Sequence, residues 1–283
     1  MPAPLRIPVI AFRLLVLLAL AGGAAFAQGS KPAVQAGLSI TFLANEGILL
    51  TTSDAGATRK VLIDALFEPY ESFAVPAEST RVALHHANAP FDDVDLVLVT
   101  HRHGDHFHPR PAVDHLRANP RAVLVTSRQV IDSLQGRLTS ELLRGHRIAP
   151  RTLAAGSRRR LLVNGIPVEL LGLPHDGRRH RGVEHLAFIV DLGGRRVLHV
   201  GDAELSEATL AAFRIDTMRI DVALLPFWAL TDDDTRNAVQ RWIRPRHVVA
   251  FHLAADDPRA EREVRSAVPA ARVLRRPLES MHW

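Results

Sequence analysis

Four side chains of the kinds that bind metal ions fall within six residues, at His101, His103, Asp105 and His106. They follow an apolar run, residues 94–100, that predicts a β-strand. Because alternate side chains of an extended segment share one face, the first two histidines are expected to bind the same ion. Gly104 lets the backbone turn, so the aspartate and the last histidine are expected to reach a second ion. The spacing therefore predicts a two-metal site, which in hydrolysis holds both the attacking and the leaving oxygen.

The main alternative is a group of solvated surface histidines, since 15 of the 283 residues are histidine. The order H-x-H-x-D-H directly after a strand-like run makes a chance cluster the rarer explanation. The chain has no cysteine, so the metal ligands must be imidazoles and carboxylates. Such ligands suit two Zn²⁺ ions, and iron or manganese as well.

The segment VDLVLVTHRHGDHF, residues 94–107, resembles the metal-binding signature of the metallo-β-lactamase superfamily. Three further segments resemble that superfamily in the expected order: LSITFLANEGILLTT…RKVLIDALF (38–67), GGRRVLHVGDAE (193–204) and RHVVAFHL (246–253). The resemblance implies an α/β fold, a four-layer αββα sandwich with the metal site at one edge. The segment LPHDG (173–177) looks like the branch that includes ascorbate-phosphate lactonases and phospholipid-cleaving phosphodiesterases.

Carried over residue by residue, the resemblance also implies the remaining ligands. The first ion would be held by His101, His103 and His175, the second by Asp105, His106 and His252, and Asp202 would bridge the two.

Three histidines compete for the third position of the first site. His175 is favoured because it follows an apolar run that exits into a loop, where functional sites often form. His185 begins the next predicted strand and stays an alternative, whereas His180 lies among arginines that would repel a cation.

Other residues near the motifs are open to two interpretations. Asp64 and Asp95 could each orient a metal-bound imidazole, but both also suit a structural role. Asn45 is interpreted as a turn residue. The arginines of segment 178–181 follow His175 and would suit an anionic substrate, although a solvated basic loop is the commoner explanation for such residues.

The N-terminus is typical of a secretory signal peptide. Arg6 and Arg13 precede the apolar core Leu14–Leu20, and Ala25–Ala27 is a small-x-small cleavage site. We therefore expect a signal peptide over residues 1–27, a hydrolase domain over 28–283, and a periplasmic or secreted protein without a stable membrane anchor. The net charge of +5 is too small to favour a nucleic-acid partner.

Strands and helices are predicted to alternate along the chain, with strands near 38–43, 47–52 and 61–65 and a helix from Ser127 onward. Residues 68–93 are predicted to be a connection, and a strand is expected at 271–275. The sequence does not fix the oligomeric state.

The function implied is a zinc-dependent hydrolase that cleaves an ester, lactone or phosphodiester of a small molecule with a metal-bridged hydroxide. Asp105 would orient this nucleophile as the catalytic residue, and His185 is a weak candidate for the acid that protonates the leaving group. Two alternatives are a β-lactam hydrolase, against which the missing Gly-His-Thr-Pro-Gly segment counts, and a non-catalytic metal-binding or sensing protein.

Overall fold

A computed structural model of the protein describes residues 37–54, 57–70, 72–139, 142 and 147–283. The predicted signal peptide, residues 1–27, lies outside the described residues. Within the part that is described, no helix has the length and apolar character that a membrane span requires.

Strands make up two sheets in the described part of the chain. Their bounds are β1 (Leu38–Ala44), β2 (Gly47–Asp54), β3 (Ala57–Ile63), β4 (Leu96–Val99), β5 (Val123–Thr126), β6 (Ile148–Pro150), β7 (Arg158–Val163), β8 (Ile166–Leu171), β9 (Ala187–Leu192), β10 (Arg195–His199), β11 (Val222–Pro226), β12 (His247–Phe251), β13 (Arg272–Val273) and β14 (Ser280–His282). The first sheet has the order β14-β1-β2-β3-β4-β5-β6, and the second β13-β12-β11-β10-β9-β8-β7.

Helices cover the outer face of each sheet. Those described are α1 (Glu78–His85), α2 (Pro109–Ala118), α3 (Arg128–Ser133), α4 (Glu207–Phe213), α5 (Trp228–Thr231), α6 (Asp233–Trp242) and α7 (Pro258–Ala267), with short 3₁₀ turns at Arg178–His180 and Ile215–Met218. Ser127 begins α3 as predicted, because its side chain accepts a hydrogen bond from the backbone N–H of Val130.

Among the described residues, three buried apolar clusters separate four layers. One lies between the sheets, one packs α1–α3 on the first sheet, and one packs α4–α7 on the second. In β4, Leu96 and Leu98 face the cluster between the sheets, whereas Val97 and Val99 face the helices. A strand covered on both faces has no polar side to show, which explains its continuous apolar sequence. The predicted αββα sandwich is confirmed.

Parallel pairing gathers strand ends at one edge of each sheet. Strands β3, β4, β5 and β6 run parallel to one another, and so do β10, β11, β12 and β13. The carboxyl ends of parallel strands point the same way, so the loops that follow them meet, as is usual for sites in α/β folds. This edge is where the predicted ligands lie.

The segment 68–93 was wrongly predicted to lack a helix, since α1 occupies Glu78–His85. This helix buries only Leu84, so its sequence carries little of the periodic apolar pattern that reveals longer helices. The strand expected at 271–275 is limited to the two residues of β13, and the last strand of the chain, β14, instead pairs with β1 in the first sheet.

Candidate metal centre

The seven predicted ligands come together from loops at one edge of the sandwich. The four of the H-x-H-x-D-H motif follow β4 of the first sheet. The other three, His175, Asp202 and His252, follow β8, β10 and β12 of the second sheet. Residues far apart in sequence therefore meet because the two sheets present their strand ends to the same space.

The first group consists of three imidazoles and one carboxylate. His101 Nε2 lies 2.9 Å from His103 Nδ1, which lies 3.1 Å from His175 Nε2. Asp202 completes the group, and its four ligand atoms all lie within 4.8 Å of one another. Three nitrogens and an oxygen converging in this way suit the four-coordinate shell of zinc.

The second group contains Asp105, His106 and His252, again with ligand atoms within 4.8 Å of one another. Asp105 Oδ2 lies 3.6 Å from His106 Nε2 and 3.5 Å from His252 Nε2. Both histidine nitrogens are buried without a hydrogen-bond partner in the described structure. Unpartnered buried polar atoms are costly, so their convergence on one point indicates a place for a ligand.

Asp202 faces both groups, one oxygen to each. Its Oδ2 lies 3.5 Å from His175 Nε2 and 3.8 Å from His101 Nε2. Its Oδ1 lies 3.4 Å from the Nε2 atoms of both His106 and His252. A carboxylate with this division of its oxygens can join two ions.

Asp64 supports the centre from behind. Its Oδ2 lies 2.9 Å from His106 Nδ1, and its two oxygens accept hydrogen bonds from the N–H and hydroxyl of Thr100. That hydroxyl is 3.0 Å from His101 Nδ1. Asp95, the other candidate, is equally buried but bonds to Arg59 and Arg121 instead. Of the two aspartates, Asp64 is therefore the one in position to orient an imidazole of the centre.

Asn45 is more than a turn residue, because it also contacts a candidate metal ligand. It has the positive φ of a tight turn, +47°, yet its side chain also donates to the backbone and carboxylate oxygens of Asp105, at 3.1 and 3.3 Å. Sequence reasoning recognised the hairpin signal but had no means of showing that the hairpin folds onto the ligands.

Glu46, the next residue of the hairpin, was not singled out from the sequence. It is fully buried, and neither carboxylate oxygen has a hydrogen-bond partner in the described structure. Burial, followed by the nearby charge of Asp202, raises its pKa well above the ordinary value. The neutral acid is therefore the favoured form of Glu46.

Two of the three competing histidines lie beside the first group without joining it. The His180 ring packs 4.8 Å from that of His103 and 4.6 Å from that of His175. His185 is buried, its ring 5.3 Å from that of His101, and burial lowers its pKa to about 3. Neither belongs to a metal-binding group among the described residues, whereas His175 does.

The local electrostatics of the first group suit ligand binding. Burial lowers the pKa of His101 well below its ordinary value and that of His103 to about 4, so both rings are neutral and able to coordinate at pH 7. Burial alone would raise the pKa of Asp202, but the positive charge of His106, followed by the close contacts with His106 and His175 at 3.4 and 3.5 Å, holds it well below its usual range. The carboxylate is therefore ionised, as a bridging ligand must be. In the second group, burial alone would lower the pKa of His106, but the charge of Asp202 raises it well above its ordinary value.

Comparison with known proteins points to one superfamily. The family model described as "Beta-lactamase superfamily domain" matches residues 59–274. A UPF0173 metal-dependent hydrolase of Symbiobacterium thermophilum is 30% identical over 160 residues, 55% of this chain and 64% of that protein. The match thus spans just under two thirds of the length of that relative. A UPF0173 metal-dependent hydrolase of Pelotomaculum thermopropionicum is 25% identical over 83% of this chain and 93% of its own length.

Among solved structures, the metallo-β-lactamase fold protein YhfI of Bacillus subtilis superposes with a TM-score of 0.57. The superposition covers 87% of this chain and all of YhfI, at 10% sequence identity. At this identity, the likeness establishes the fold alone.

Proposed function

Because this chain belongs to the β-lactamase superfamily, we propose that it is a metal-dependent hydrolase with two divalent ions in its centre. His101, His103 and His175 would hold one ion, Asp105, His106 and His252 the other, and Asp202 would bridge them. The observation that carries this proposal is the division of the two Asp202 oxygens between the two groups of imidazoles.

The residues present fit such a metal pair. His106 Nε2, His252 Nε2 and Asp202 Oδ1 are buried and without hydrogen-bond partners, and they face one another. Imidazole and carboxylate ligands suit zinc first, and iron or manganese as well. When bound, two such ions lower the pKa of a coordinated water toward about 7 and polarise the oxygen of the scissile group.

Asp105 is the group best placed to orient the attacking water. Burial alone would raise its pKa, but the 3.5 Å contact with His252 Nε2, followed by the charge of His106, lowers it overall. Its carboxylate is thus ionised and able to accept a proton, while Asn45 holds it from the other side. His185 is less suited to protonate the leaving group, because burial keeps its ring neutral.

The reaction we propose is hydrolysis of an ester, lactone or phosphodiester of a small molecule. The site offers no specific support for β-lactam hydrolysis or for metal binding without catalysis. The test is turnover by zinc-reconstituted protein on a panel of carboxylic esters, lactones, phosphodiesters and β-lactams. Activity should be lost in Asp202→Asn and kept in Asp221→Asn, which removes a carboxylate at the opposite end of β10. Absence of turnover on every class at full metal occupancy would contradict the proposal.

We also propose that the chain is exported, with residues 1–27 removed as a signal peptide. The support is the order of the basic residues, the apolar core and the Ala25–Ala27 cleavage site in the sequence. Mass spectrometry of protein expressed with its full N-terminus should find Gln28 as the first residue in the periplasm or medium. A chain that keeps Met1 in the cytoplasm would refute export.

A further inference from the structure

An aromatic surface borders the second group of ligands. The Phe73 ring meets the His252 ring edge-on at 5.0 Å, and the Trp228 ring meets it at 4.7 Å. Tyr70 stacks on Phe73 at 6.3 Å with only 23° between the ring planes. These three rings, Tyr70, Phe73 and Trp228, are called the aromatic wall below.

The aromatic wall is partly open to solvent. Tyr70 is 50% exposed, and Phe73 and Trp228 are half-buried. Aromatic residues are only 5% of the chain, so three beside one metal ligand are a concentration of a scarce residue type. A methyl group on Gly104, inside the ligand motif, would lie 3.4 Å from the Tyr70 ring, which ties the wall closely to the centre.

The opposite side of the centre is basic. The 3₁₀ turn Arg178–His180 places the His180 ring against His103 and His175 of the first group. Arg178, Arg179 and Arg181 are exposed, and none forms a salt bridge with a described carboxylate. Many arginines elsewhere are paired, for example Arg196 with Asp191 and Arg246 with Asp221. The three guanidinium groups, which flank His180 in the sequence, are therefore free to bind an anion.

Building on the proposed function, we infer that the substrate carries an aromatic group on one side of the hydrolysed bond and a carboxylate or phosphate on the other. A planar ring can extend the stack that Tyr70 and Phe73 begin, and it can meet Trp228 edge-on. Guanidinium forks bind carboxylate and phosphate oxygens in pairs. A molecule that reaches both surfaces lays its central bond across the ligand groups that lie between them.

The reaction needs no further reagent. For an ester of this class, the oxygen of water forms a bond to the acyl carbon, the bond from that carbon to the alkoxy oxygen breaks, and the departing alkoxide takes up the proton that the water releases. The products are a carboxylic acid and an alcohol, one of which carries the aromatic group.

Three esters with similar leaving groups separate the two contributions. Monobenzyl succinate carries both groups, monoethyl succinate lacks the ring, and benzyl butanoate lacks the anion. With zinc-reconstituted protein, kcat/KM for monobenzyl succinate should exceed the other two by about 5-fold or more, the scale of one aromatic or charged contact. N-benzylsuccinamate, the amide counterpart, measures binding by calorimetry independently of turnover.

Variants test whether the aromatic wall causes the preference for the benzyl group and whether the three arginines cause the preference for the anion. The double variant Phe73→Leu, Trp228→Leu should lower kcat/KM for the benzyl esters more than for the ethyl ester. The single variant Trp228→Phe keeps a ring and should retain most of the preference for benzyl esters. Replacing Arg178, Arg179 and Arg181 by Gln should lower kcat/KM for the two succinate esters more than for benzyl butanoate. The control replaces Arg195, Arg219 and Arg246, which line a cavity at the start of β10, far along the strand from Asp202, and it removes the same number of positive charges.

The outcomes separate this inference from the proposed function. Equal hydrolysis of all three esters would overturn the inference and leave the hydrolase proposal standing. Amide binding with the expected variant effects, but no ester cleaved, would support the inference and count against ester hydrolysis. No binding and no cleavage, or arginine effects equal to those of the control, would overturn it. Metal content and circular dichroism of each variant exclude loss of the ions or of the fold as the cause.

Discussion

Asp64 Oδ2 lies 2.9 Å from His106 Nδ1, on the side of the imidazole away from the other ligands. This contact fixes which ring nitrogen carries the proton and leaves Nε2 as the coordinating atom. Because Asp64 also holds Thr100, whose hydroxyl touches His101, one buried carboxylate orients a histidine of each group.

Asp64→Asn should weaken metal binding by about 10- to 100-fold, the usual effect of losing such a supporting carboxylate. Competition with a chromophoric chelator gives the affinity. Asp95→Asn is the matched control, since it removes an equally buried carboxylate that bonds to arginines instead. It should lower the free energy of unfolding without changing metal affinity. Equal metal affinity in both variants would contradict the role of Asp64.

Asp202→Asn should reduce the bound metal from two ions per chain to one or none, because one amide oxygen cannot serve two ions as a charged bridge. Elemental analysis of zinc-reconstituted protein measures this, and His101→Ala should likewise lose at least one ion. Two full equivalents in Asp202→Asn would show that the bridge is wrongly assigned.

Asp105→Asn keeps the shape and one coordinating oxygen but removes the charge that accepts a proton. We expect kcat to fall by about 100-fold or more, the usual scale for losing a positioned proton acceptor. The measurement is kcat on a substrate found in the panel, with metal content determined in parallel. An unchanged kcat at full metal occupancy would leave Asp105 with only a structural role.

Gly201→Ala should disturb the centre through a steric clash. The new Cβ would lie 2.7 Å from His185 Nε2 and 2.9 Å from the Thr100 side chain. Gly194→Ala controls for backbone strain, since both glycines have positive φ, +59° and +70°, but Gly194 has open space around it. Denaturant unfolding should show an extra loss of about 1–3 kcal/mol for Gly201→Ala. Similar losses of unfolding free energy in both variants would mean that backbone strain, and not packing, is the reason that position 201 requires glycine.

His115 should make stability depend on pH, away from the metal centre. It is buried in α2, where it bonds to the Leu84 carbonyl, and burial lowers its pKa from the ordinary 6.5 to about 4. Between these values the unfolded chain binds more protons than the folded chain. The free energy of unfolding should therefore fall as pH drops through this window, by up to about 3 kcal/mol.

The test compares urea unfolding at several pH values for the wild type and His115→Asn. Asparagine keeps an N–H donor near the Leu84 carbonyl but does not titrate. Its stability should be lower at neutral pH and less dependent on pH below it. If the free energy of unfolding changed with pH in the same way in both proteins, His115 would not be the source of the pH dependence.

The grouping of the side chains in the H-x-H-x-D-H motif could be predicted because they are near one another in sequence and follow a strand with a plain apolar pattern. The choice of His175 over His180 and His185 depended instead on the path of the loop, and all three rings lie within contact of the first group. Asn45 and Glu46 could not be placed, because a hairpin signal fixes a turn but not what the turn packs against. Helix α1 was missed since it buries a single apolar side chain.

The ligands are divided between the two halves of the sandwich: four follow β4 of the first sheet and three follow strands of the second. Bound ions would therefore cross-link the two sheets at this edge of their interface. An ion that binds only the folded chain adds to its stability through mass action. Chelation should consequently lower the melting temperature and loosen this edge of the interface before the other, so that metal supply would govern the lifetime of the protein as well as its chemistry.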